Sequence, residues 1–135
     1  MKELTVPALV ENLPTVTDFV DGVLESIGCP MKVQFQIDVV IDEIFSNICF
    51  YAYAPETGYA TVQIDADEEK RCITLRFSDR GKPFNPLNGA DPDISLNLED
   101  RESGGLGVFL VKKSMDDVSY DYRDGKNILT MKKMM

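Results

Sequence analysis

Apolar residues return at three- and four-residue intervals at Val16, Phe19, Val20, Val23, Leu24 and Ile27, which is one stripe of an amphipathic helix. Asn12-Leu13-Pro14-Thr15 supplies its start, with Pro14 in the first turn, and Gly28-Cys29-Pro30 its end. A second helix is predicted from about Lys32 to Tyr53. Its apolar positions, Val39, Val40, Ile41, Ile44, Phe45, Ile48, Cys49 and Phe50, wrap most of the way round, so it is largely buried; Pro55 and Gly58 end it.

Elsewhere the period shortens to two. Glu3–Pro7 alternates weakly and suits an edge strand. Tyr59–Asp65 and Cys72–Phe77 alternate on either side of the polar turn Asp67–Lys70, giving a hairpin. Val118–Arg123 and Asn127–Lys133 flank Asp124-Gly125, a second hairpin. Between the hairpins the pattern collapses from Asp79 to about Ser103, where Gly81, Pro83, Pro86, Gly89 and Pro92 punctuate a polar stretch. A loop of that length in a compact domain is usually functional. Gly104-Gly105-Leu106-Gly107 then opens a short apolar helix, Val108–Met115. The expected architecture is two-layer α/β, with helices on one face of a mainly antiparallel sheet.

The 135 residues suit one domain, and 44% hydrophobic content suffices for a core without disulfide or metal staples. Three cysteines, with no CxxC pair, read as free thiols in a reducing compartment. The N-terminus carries no signal-peptide pattern and no apolar run is long enough to span a bilayer. The net charge is −9, with 14 basic residues against 23 acidic, which argues against nucleic-acid binding. There is no histidine at all. That removes Ser-His-Asp and Cys-His catalysis, His-ligated zinc and phosphohistidine chemistry on this chain, and leaves proton transfer to a carboxylate, Lys, Tyr or Cys.

Three segments carry candidate chemistry. In Asp42-Glu43-Ile-Phe-Ser-Asn47, Glu43 and Asn47 are four apart and share one helix face. In an otherwise apolar helix they need partners: a Lys or Arg for Glu43 and a backbone group for Asn47, or else a ligand. Ser78-Asp79-Arg-Gly81-Lys-Pro83-Phe84 stands at a strand exit. A carboxylate there can accept from an amino group in a flat apolar slot, and Gly81 permits close backbone approach to a ring; an ordinary Asp-x-Gly turn has the same sequence. Ser103-Gly104-Gly105-Leu106-Gly107 leads into a helix and frees backbone N–H groups for a phosphate, or serves as a hinge. It is neither a Walker A loop, lacking Gly-Lys-Ser/Thr, nor a dinucleotide fingerprint, since no strand precedes it.

In this order and spacing the three segments resemble the GHKL ATPase superfamily of gyrase-type, chaperone and histidine-kinase ATP-binding domains. Within it, Asp42-Glu43-Ile-Phe-Ser-Asn47-Ile-Cys-Phe-Tyr51-Ala-Tyr53, Asp79-Arg-Gly81-Lys-Pro83-Phe84, Gly105-Leu-Gly107-Val-Phe-Leu-Val, Met115-Asp-Asp-Val118 and Gly125-Lys-Asn127-Ile-Leu129-Thr130 are similar to the anti-sigma-factor serine/threonine kinases. The resemblance covers nearly the whole chain. It implies an α+β, Bergerat-type sandwich on a mainly antiparallel, mixed sheet, with ATP and Mg²⁺ as cofactors. By the same resemblance Glu43 is the general base and Asn47 the magnesium ligand. Asp79 receives the adenine amino group beside Gly81 and Phe84; Ser103, Gly104, Gly105, Leu106 and Gly107 wrap the phosphates; about 82–103 forms a lid.

The implied protein is a cytoplasmic homodimer that phosphorylates a STAS-type anti-sigma-factor antagonist and sequesters a sigma factor. Alternatives are a non-catalytic ATP-dependent binding module and a detached histidine-kinase-type ATPase domain. The chain departs from the pattern at Tyr51, where the subgroup often has His, and at Arg101, which lies further upstream of the glycine loop than the Arg of many relatives. Lys82, Arg101 and Lys112 are the candidate γ-phosphate cations.

Overall fold

The structure, a computed structural model, describes residues 1–88 and 105–135. Five strands and three α-helices follow one another as β1 (Lys2–Pro7), α1 (Leu13–Ser26), α2 (Met31–Asn47), β2 (Tyr59–Asp67), β3 (Cys72–Asp79), α3 (Gly105–Ser114), β4 (Asp117–Arg123) and β5 (Lys126–Met134). The strands form one sheet in the order β1-β2-β3-β5-β4.

Each strand divides its residues between two environments, as a period of two requires. Ala60, Val62 and Ile64 of β2, Ile73, Leu75 and Phe77 of β3, and Leu129 and Met131 of β5 are buried. They pack with Val16, Val20 and Leu24 of α1, with Ile37, Val40, Ile41, Ile44 and Phe45 of α2, and with Val111 of α3 in one core. The alternate residues of the central strands, among them Thr61, Gln63, Arg76, Ser78 and Thr130, stay partly exposed on the opposite face. No helix among the described residues is long and apolar enough to cross a membrane.

Two findings refine the expected layout. Every pairing between described strands is antiparallel rather than mixed. β3 and β4 do run in the same direction, joined through α3, but β5 inserts between them and pairs antiparallel with both. The hairpin that places it turns on Asp124 and Gly125, both at positive φ (56° and 77°), the conformation of a two-residue hairpin loop. Second, the predicted long helix is α-helical only to Asn47; Ile48–Ala52 continues as a π turn. Such turns redirect the chain and recur at functional sites.

Candidate functional site

Glu43 and Asn47 lie on the last turns of α2, one helical turn apart. The Asn47 amide N–H donates to Glu43 Oε1 at 3.1 Å, so the two side chains act as a pair. The glycine segment meets this pair. Gly107, in the first turn of α3, lies so close to Glu43 that a Cβ there would overlap the carboxylate carbon and both oxygens. The glycine leaves room for a charged side-chain end, and the start of α3 is seated directly on the acid.

The π turn carries the chain from this pair to the second motif. A Cβ on Gly81 would collide with the backbone of Ala52, and the Lys82 N–H donates to the Ala52 carbonyl at 2.9 Å. The close approach that Gly81 permits is therefore to the protein's own π turn. Tyr53 reinforces the join: its hydroxyl donates to the Tyr59 carbonyl at 2.6 Å and accepts the Arg80 N–H at 2.7 Å. From Glu43 to Ala52 is nine residues, on the order of 10–13 Å along the axis. One continuous strip thus carries the acid–amide pair at one end and the Asp-x-Gly bend at the other.

Asp79 ends the inward-facing row Ile73, Leu75, Phe77, so its carboxylate emerges on the helix side of the sheet. It is only 9% exposed and needs partners for that reason. Its Oδ1 accepts the Gly81 N–H at 2.8 Å and the Asn127 amide N–H at 3.0 Å. Burial raises its pKa above the ordinary carboxylate value, and those two donors partly offset the rise. Phe84 is exposed, with its backbone N–H tied to Asn127 Oδ1 at 3.0 Å.

The chain matches the model of the histidine kinase-like ATPase domain over residues 6–133. The chain belongs to that family. Among the relatives of this histidine kinase-like ATPase domain is the serine/threonine-protein kinase BtrW of Bordetella bronchiseptica, 30% identical over 101 residues that cover 74% of this chain and 70% of the relative. The serine-protein kinases RsbW of Bacillus mycoides and of Bacillus cereus (strain B4264) are each 25% identical, covering 96% of this chain and 82% of their own. ATP is the nucleotide that defines the family.

Of the residues expected at an ATPase site, the structure brings Glu43, Asn47 and Gly107 together at one end of the strip, and Asp79, Gly81 and Phe84 at the other. Ser103 and Gly104 lie outside the described residues, as do Arg101 and most of the expected lid; Gly105 and Leu106 form the first residues of α3. Of the candidate cations, Lys82 donates through Nζ to the Ala54 carbonyl at 2.9 Å, and Lys112 stands in the last turn of α3. Tyr51 lies on the π turn, more than half exposed, against Phe50. All three cysteines are free and half-buried; burial pushes the Cys49 thiol up to about 11. Asn127 carried no assigned role in the sequence. Its one sequence signal was its place in the resembling segment Gly125–Thr130; the structure sets it directly opposite Asp79 in the β3–β5 register. A separate polar groove of about 310 Å³, flanked by Thr5, Thr61, Arg76, Ser78 and Lys126, contains none of the candidate site residues.

Proposed function

We propose that this protein is an ATP- and magnesium-dependent serine/threonine kinase of the anti-sigma-factor type. It phosphorylates a STAS-type antagonist in the cytoplasm and, as a homodimer, sequesters a sigma factor. One observation carries the catalytic part: Gly107, from the phosphate-binding glycine segment, rests on the Glu43 carboxylate that Asn47 holds. The kinase names of the relatives support the same reaction, and the resemblance of the motif segments supplies the partners.

In this reading the adenine lies at the Asp79 end and the phosphates run along the strip to the glycine segment. The substrate hydroxyl gives its proton to Glu43 as its oxygen bonds to the γ-phosphorus; the bond from that phosphorus to the β–γ bridging oxygen breaks and ADP leaves. Asn47 would suit a magnesium ion: its N–H is committed to Glu43, and its amide oxygen is a hard donor; nucleotide-borne magnesium needs few protein ligands besides phosphate and water. When bound, the ion neutralises phosphate charge. Asn47 would thereby link the base to the metal.

The test is incubation with ATP, magnesium and the antagonist, comparing wild type with Glu43→Ala. Phosphoantagonist in the wild-type reaction alone supports the proposal. Its absence from both, with antagonist binding that still needs ATP, would make the protein a non-catalytic binding module instead.

A further inference from the structure

Asn127 is 8% exposed, and its amide spends its full capacity of two donors and two acceptors. The two N–H groups reach Asp79 Oδ1 at 3.0 Å and the Lys82 carbonyl at 2.8 Å, with the Gly81 carbonyl further away at 3.5 Å. The oxygen accepts the Phe84 N–H at 3.0 Å and the Tyr120 hydroxyl. A carbonyl can only accept and a backbone N–H can only donate, so these partners fix the amide in one orientation. One side chain therefore binds the carboxylate at the end of β3 and the backbone of Lys82 and Phe84, just past the Asp-x-Gly bend.

We propose that Asn127 is the positioning residue that keeps Asp79 an ionised acceptor for the adenine amino group and couples it to the root of the lid. This inference rests on the ATP reading above. A purine amino group donates and a 6-oxo group accepts, so an ionised Asp79 selects ATP over inosine triphosphate, whereas a protonated Asp79 loses that selection. Burial favours the protonated form. Among the described residues, the titratable groups that face Asp79 from neighbouring elements are Tyr53, after the π turn, and Tyr120, on β4; burial holds both phenols above their ordinary value. Neither supplies positive charge, which leaves the N–H groups of Asn127 and Gly81 as the stabilising donors.

The experiment measures the affinities of wild type, Asn127→Ala, Asn127→Ser and Asn127→Asp for ATP and for inosine triphosphate by calorimetry, at about pH 6 and about pH 8. Asn127→Ala lowers the ratio of ATP to inosine triphosphate affinity by about tenfold, the order expected for one hydrogen bond to a charged acceptor. Asn127→Ser, which keeps a donor, recovers part of that ratio. Asn127→Asp places two carboxyl groups at one site; ATP binding is weakest at the higher pH and recovers at the lower, where a shared proton lets one acid donate to the other. A purely structural role would weaken both nucleotides alike at both pH values. The proposal is overturned if every variant that folds keeps the wild-type ratio at both pH values. Failure of wild type to bind either nucleotide overturns the ATP reading itself, and this inference with it.

Discussion

Replacing Gly107 with alanine separates catalysis from folding. The added methyl overlaps the end of the Glu43 side chain, and that end moves by rotation, whereas backbone does not. Within α3, alanine in place of glycine gains roughly 0.5–1 kcal/mol. Displacing Glu43 forfeits its bond from Asn47, worth about 1 kcal/mol. The two effects nearly cancel, so the melting temperature stays within about 4 °C of wild type. Activity does not cancel. A misplaced general base costs on the order of 10²–10⁴ in rate, or about 3–5 kcal/mol of barrier. The assay is transfer of labelled phosphate from ATP to the antagonist under single-turnover conditions, alongside thermal melts. Transfer within about threefold of wild type would refute the placement of Glu43 against the glycine segment. Loss of the fold would refute the claim that the colliding group can move aside.

The same substitution at Gly81 has the opposite outcome: the colliding atoms belong to the Ala52 backbone, so Gly81→Ala lowers stability by about 1–3 kcal/mol, read by urea denaturation. Asp38 gives a pH signature. Burial first, then the neighbouring Asp21 and the charge of Glu25, push its carboxyl up to about 7, and Asp21 Oδ1 and Asp38 Oδ1 are both buried without a hydrogen-bond partner. The folded protein holds a proton here that the unfolded chain releases near the ordinary aspartate value of about 3.8. The stabilisation is complete below that value and is lost as pH rises through about 7. Asp38→Asn flattens the decline and, with solvent screening discounted, stabilises the protein by about 1 kcal/mol at alkaline pH; equal pH slopes for variant and wild type in urea melts would contradict this.

Local periodicity made the elements legible. The stripe from Val16 to Ile27 and the alternations around Asp67–Lys70 and Asp124-Gly125 all became the expected helix and hairpins, because in each case one face meets the core. The π turn was not legible: Ile48–Ala52 is apolar enough to continue any helix, and what diverts it is the distant packing of Gly81 on Ala52. The insertion of β5 between β3 and β4 likewise depends on pairing across the chain. At the site, Glu43, Asn47 and Asp79 stood out as polar residues in or beside apolar runs. Asn127 did not, since a single amide near a hairpin turn looks like turn chemistry until its register opposite Asp79 is known. Tyr53 was hidden similarly, its hydroxyl serving two backbone groups far apart in sequence.

Calorimetric titration of ATP with magnesium into wild type, Asn47→Ala and Asp79→Ala tests both ends of the strip at once. The account predicts one nucleotide per chain for wild type, loss of the magnesium dependence in Asn47→Ala, and severe loss of affinity in Asp79→Ala. Wild-type affinity retained in both variants, or no binding by wild type, would contradict it.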